Sequence, residues 1–195
     1  MTNGKSVSKN DPTRITRRGL AMGATLAAAS VLAATPSTAL ARRRPSPSPE
    51  ERAEIEDLFS AYLWAYDCSD EEAFVELFSR DAWVVGKGTR YQGREKILGW
   101  FRYLIEMRER EGDDIWMHEA GQFRFFRSGG SWIVYAYATH FNGNSAKAMR
   151  GVRSLGYFAC ECRQEKEGWK FHRFSISPWD RRQLPWKKSL PWAES

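Results

Sequence analysis

The sequence predicts an α+β fold, a cone in which a curved antiparallel sheet wraps around a long helix, with two further helices on its N-terminal side. Two observations predict it. Apolar residues recur at helical spacing through the first part of the folded region, and four long β-type runs follow, joined by the short turn segments Ser128-Gly129-Gly130, Asn142-Gly143-Asn144 and Glu165-Lys166-Glu167-Gly168. Connections that short make consecutive strands antiparallel neighbours.

Each element has its own signal. Ser48-Pro49-Glu50-Glu51 reads as an N-cap, a proline at the first helical position and acids where the helix dipole favours them. Ile55, Leu58, Phe59, Tyr62, Leu63 and Tyr66 continue it as an amphipathic helix. Ser69 with Glu72 three positions on reads as the capping box of a short second helix with Phe74, Leu77 and Phe78 as its buried stripe, leaving Asp67 and Cys68 at the joint. Ala82 to Val85 and Thr89 to Tyr91 form a hairpin across Gly86-Lys87-Gly88. Arg94 to Arg110 is a third helix with Ile97, Leu98, Phe101, Leu104, Ile105 and Met107 on its apolar face. The strands are Ile115 to Arg127, Trp132 to Phe141, Ala148 to Arg163 and Trp169 to Ser177. A sheet curved over a helix leaves a conical pocket, and ligand sites favour such concavities.

The N-terminus reads as an export signal. Lys5, Lys9, Arg14, Arg17 and Arg18 precede the apolar stretch Gly19 to Ala34, and Ala39-Leu40-Ala41 is a small-x-small cleavage site. Thr16-Arg17-Arg18-Gly19-Leu20 resembles the twin-arginine signal. A spanning helix needs ~20 strongly apolar residues, more than this stretch of Ala and Gly supplies, so no stable membrane span is expected after cleavage. The expected organisation is a signal over residues 1–41, a Pro/Ser-rich linker over 42–49, one domain over 50–180 and a tail over 181–195, in a protein exported to the periplasm or beyond.

Cleavage changes the charge argument. The whole chain has 30 basic and 24 acidic residues; residues 1–41 hold 5 and 1, which leaves 25 and 23, a net charge of +2. Interspersed charge in near balance argues against a nucleic-acid partner. Cys68, Cys160 and Cys162 read as buried thiols, since the last two stand two apart on one strand face, a poor geometry for pairing. No His/Cys cluster suggests a metal, and no cofactor motif is present.

The order α-α-β-β-α-β-β-β-β over roughly Glu50 to Asp180 resembles the SnoaL-like branch of the nuclear-transport-factor-like superfamily. Tyr66-Asp67-Cys68-Ser69-Asp70 followed by Phe74-Val75-Glu76-Leu77-Phe78 and Asp81 is similar to the branch's opening motif. Tyr91-Gln92-Gly93-Arg94 is similar to its hairpin-to-helix turn, and Gly168-Trp169-Lys170-Phe171 to its ending. His118 falls at the family's pocket histidine. The patterns nearest in chemistry are those of scytalone dehydratase and hexachlorocyclohexane dehydrochlorinase, both cofactor-free lyases. The resemblance implies that Asp67 orients His118 as a general base, with Tyr66, Tyr137 or Arg153 available to bind substrate and assist a leaving group. It also implies a small hydrophobic ligand and a homodimer or homotrimer.

There are departures. The second pocket histidine of scytalone dehydratase aligns with Val152 to Ser154, where there is none, and the pocket arginine and lysine of the dehydrochlorinase have no clear counterparts. Without the family position, His118 reads as a structural strand histidine and Asp67 as a local backbone acceptor. His140 and His172 read as surface or rim residues, outside the chemistry. The tail, with Leu184-Pro185-Trp186 and Leu190-Pro191-Trp192, reads as a strap on its own sheet or on a neighbouring subunit, ahead of a membrane-surface anchor. The expected function is a cofactor-independent lyase or isomerase working through Asp67 and His118; the alternative is a non-catalytic ligand-binding or assembly domain of the same fold.

Overall fold

The computed structural model describes residues 45–112 and 114–193, all within one unit spanning Arg42–Ser195. The export signal expected over residues 1–41 lies outside the described residues. Ser48 starts the first helix, α1 (Pro49–Asp67): its hydroxyl accepts from the Glu51 N–H at 3.1 Å, and the Glu51 carboxylate accepts from the Ser48 N–H at 2.9 Å. No helix among the described residues is long and apolar enough to cross a membrane.

Helix α2 (Glu71–Glu76) departs from its expected start. Its cap is Asp70, whose carboxylate accepts from the Ala73 N–H at 3.0 Å, and not Ser69. An N-cap needs extended backbone, whereas Ser69 sits at φ 60 and spends its conformation on reversing the chain out of α1. Phe78, expected in the helical stripe, already belongs to strand β1 (Phe78–Gly86). The hairpin to β2 (Thr89–Gln92) turns through Lys87 at φ 50 and Gly88 at φ 78, two consecutive left-handed residues that match the twist of the flanking strands. Helix α3 (Arg94–Glu111) buries Ile97 and Phe101 as expected, and Trp100 in addition.

Strands β3 (Ile115–Ser128), β4 (Ser131–Asn144), β5 (Met149–Glu165) and β6 (Gly168–Pro178) form an antiparallel meander within a six-stranded sheet ordered β2-β1-β6-β5-β4-β3. One pairing corrects the wholly antiparallel expectation: β1 runs parallel to β6. The chain reaches β6 from β1 through α3 and the whole meander, so no tight turn dictates opposite directions.

The curvature has local causes. Gln122 and Phe123 together oppose Ala136, and Arg153 is the extra residue where β5 faces His140 and Phe141. Such bulges bend a strand and increase its twist. The first also breaks the expected alternation of β3. Gln122 takes φ 55, and Phe123 instead turns inward onto Phe59. Phe59 fills the concave face, its ring edge-on to Phe123, Phe158 and Phe171 at 5.1–5.5 Å.

The convex face carries a second, smaller cluster. Ile133, Tyr135, Tyr157 and Ala159 are covered by Trp186, Leu190 and Trp192, so the tail straps its own sheet. Arg124 anchors it, stacking over the Trp186 ring at 4.2 Å. Cys160 and Cys162 are buried thiols whose pKa burial pushes up, which keeps them protonated and unreactive, whereas Cys68, expected to be buried, is exposed.

Candidate active site

Asp67 is the last residue of α1, and the chain reversal at Ser69 leaves its carboxylate facing the start of β3. There it engages His118 twice. Asp67 Oδ2 accepts from the His118 backbone N–H at 2.8 Å, and Oδ1 lies 2.6 Å from His118 Nδ1. Both side chains are largely buried, at 14% and 15% exposed, a setting in which a carboxylate hydrogen bond orients an imidazole firmly. Arg108 of α3 braces the joint, donating to the Asp67 carbonyl at 3.3 Å and to the Ser69 hydroxyl at 2.5 Å.

A ring cluster surrounds the pair. Tyr66 lies against the His118 ring with centroids 4.8 Å apart. Burial pushes its phenol far above the ordinary range; Arg108 pulls it down, Asp67 and Glu111 push it up, and the group stays protonated. On the other side, His140 stacks on His118 with centroids 4.4 Å apart and planes 22° from parallel. One expectation is corrected here. His140 is buried rather than at the rim, and β4 places it directly opposite His118 in the antiparallel register. Its detectable signal is that register, since in a hairpin turning at Gly129-Gly130 the two histidines are equidistant from the turn once the bulge is counted.

His118 lines a cavity of about 400 Å³. Its sheet wall is Ala138, Ser154, Gly156, Ile176 and Pro178, its helical wall is Tyr66, Trp100 and Leu104, and the β1–β2 hairpin forms a lip through Gly86 and Lys87. Trp100 stands so close to Gly86 that a Cβ there would meet its Nε1 at 2.8 Å, which explains the glycine. A larger depression of about 610 Å³, between α1 and the β3 bulge, is lined by Arg52, Glu56 and Arg124 and contains neither Asp67 nor His118.

The other expected substrate contacts lie elsewhere. Tyr137 points to the convex face, 49% exposed and edge-on to Trp179 at 5.1 Å, because its strand parity is opposite to that of Ala138 and His140. Arg153 pairs with Glu111 at the end of α3 and does not line the cavity, having been displaced into the β5 bulge. His172 is also buried, contrary to expectation: it sits at the bulge between β5 and β6, with Nδ1 3.3 Å from Asp81. Burial, then Arg173 and Arg163, hold its imidazole below its ordinary value, so it is neutral and structural. Among the described residues no group of three or more His, Cys, Asp or Glu is arranged to hold a metal ion.

A helix-end carboxylate paired with a strand histidine in a curved-sheet cavity is the arrangement expected of a SnoaL-like domain, and the chain belongs to that family, whose model matches residues 47–175. No curated protein matches the sequence. Among solved structures, ActVI-ORFA from Streptomyces coelicolor is similar with a TM-score of 0.62 at 10% identity, covering 71% of this chain and all (100%) of that one. Aln2 from a Streptomyces species has a TM-score of 0.60 at 18% identity, covering 69% and 94% of the two chains. A candidate scytalone dehydratase from Novosphingobium aromaticivorans has a TM-score of 0.56 at 16% identity, covering 67% and 85%. At such identities the likeness is one of fold.

Proposed function

We propose that this protein is a cofactor-independent lyase, of dehydratase or dehydrohalogenase type, or an isomerase, acting on a small hydrophobic cyclic molecule with His118 as general base. The observation that carries the reading is the 2.6 Å contact between His118 Nδ1 and Asp67 at the wall of an apolar cavity. A carboxylate that accepts the Nδ1 proton leaves the lone pair on Nε2, the nitrogen open to a substrate. In a dehydration, Nε2 takes a proton from the carbon next to the C–O bond. The C–H electron pair becomes the new C=C bond, the C–O bond breaks, and the imidazolium returns its proton to the departing hydroxide as water. With a halide the leaving group departs as the anion and the proton passes to solvent; in an isomerisation the proton is returned to a second carbon.

Asp67 stabilises the imidazolium that forms in the first step. Tyr66, kept protonated by burial, offers a hydroxyl on the cavity wall that can donate to a leaving or enolate oxygen. The fold resemblance to a candidate scytalone dehydratase supports this reaction class. Export by the twin-arginine route and assembly as a homodimer or homotrimer belong to the same proposal.

The test compares wild type with His118→Ala on a panel of cyclic alcohols and halides. The expected loss is about 10²–10⁴-fold in kcat, the usual contribution of a general base. Equal turnover in both would sink the mechanism, and cavity binding without turnover in either would make the protein a ligand-binding domain of the same fold.

A further inference from the structure

We infer that the cavity takes a substrate bearing a carboxylate, and that Lys87 on the hairpin lip is the residue that recognises it, an inference that rests on this cavity being the ligand site. Lys87 is the one formal cation among the lining residues, and no carboxylate is among them to neutralise it. Its ammonium donates at 3.6 Å to the Met107 thioether, a weak acceptor, and it forms no ion pair among the described residues. Lys87 is exposed at the mouth of the cavity, and an ammonium there with no carboxylate among the lining residues is complementary to an anionic ligand entering it.

The backbone supplies an independent argument. Lys87 holds φ 50 at the first of two left-handed turn positions, where Asn or Gly is the locally favoured residue. A lysine in that place is a poor choice for the turn, and such outliers persist where the side chain is used.

The sheet order sets where the charge lies relative to the chemistry. His118 is on β3 and Lys87 is at the end of β1, four strand spacings apart, about 19 Å along the sheet and less across its concave side. A ligand whose carboxylate meets the Lys87 ammonium therefore directs its apolar body into the cavity, toward the side that His118 lines. The substrate class that follows is a small cyclic acid whose reacting C–H lies remote from the carboxylate.

The probes are cyclohexanecarboxylate and its neutral near-isostere cyclohexanecarboxamide, titrated calorimetrically at low salt into wild type, Lys87→Asn and Trp64→Ala. Asn accepts φ 50 readily, so the turn is retained in the first variant. Wild type is expected to bind the carboxylate at least about threefold tighter than the amide, with the preference shrinking as salt rises. Lys87→Asn abolishes that preference without weakening the amide, and Trp64→Ala, on an exposed face of α1 away from the cavity, keeps it. A preference that survives in Lys87→Asn or vanishes in Trp64→Ala overturns the assignment. Equal binding of both probes to wild type overturns it alone; binding of neither overturns it together with the pocket itself.

Discussion

Replacing Asp67 by Asn is expected to lower kcat by about 10²–10⁴-fold while the chain stays folded. The two carboxylate oxygens serve different partners, the backbone N–H of His118 at 2.8 Å and its Nδ1 at 2.6 Å. An amide has only one acceptor for these two. If its oxygen keeps the backbone N–H, its NH₂ group faces Nδ1 and donates to it, which draws the ring proton to Nε2 and removes the lone pair from the nitrogen that faces substrate. If the oxygen turns to Nδ1, the His118 N–H loses its partner and the start of β3 shifts. The first arrangement removes the base, the second displaces it, and in both the charge that would stabilise the imidazolium is gone. Steady-state kinetics beside a thermal melt separate this from unfolding: turnover near the wild-type value would remove the carboxylate from the mechanism.

Phe59→Ala is expected to cost about 3–5 kcal/mol of unfolding free energy. Phe59 is completely buried and is the contact through which α1 holds three strands at once, edge-on to Phe123 of β3, Phe158 of β5 and Phe171 of β6. Removing the ring leaves a void that the sheet can close only by changing the curvature its bulges impose. Chemical denaturation reads the effect directly. Trp64→Ala is the control: the same helix carries this larger ring at 72% exposure, and its loss should fall within about 0.5 kcal/mol. A Phe59 variant as stable as the control would mean that α1 is not what shapes the sheet.

Most of the architecture is legible because it is written in period. Ile55, Leu58, Phe59 and Tyr62 repeat at helical spacing, the glycine-rich connections punctuate β3 to β6, and the tail's Leu-Pro-Trp units announce a surface they must cover. The misreadings cluster where periodicity breaks. Residue type points Tyr137 to the pocket, yet strand parity puts it on the convex face with Trp179. Arg153 and His172 occupy bulges, which change the facing of a side chain without leaving a local sequence signal. His140 is hidden because its role depends on pairing across the β3–β4 hairpin, whose register includes a bulge at Gln122 and Phe123. Asp70 displaces Ser69 as a cap because the reversal after α1 claims a left-handed residue first. Lys87 looks like an ordinary turn residue, and only the closure of the hairpin over Trp100 brings it to the cavity lip.

The central claim is that Asp67 holds the proton of His118 on Nδ1 and leaves Nε2 as the base. Nitrogen-15 NMR of the imidazole in the wild-type protein tests it without knowledge of the substrate. At a pH where the ring is neutral, the His118 spectrum should show a protonated Nδ1 and a bare Nε2; Asp67→Asn should reverse them where the amide oxygen keeps the His118 backbone N–H. A wild-type ring protonated at Nε2, with Nδ1 bare beside the carboxylate, would contradict the mechanism.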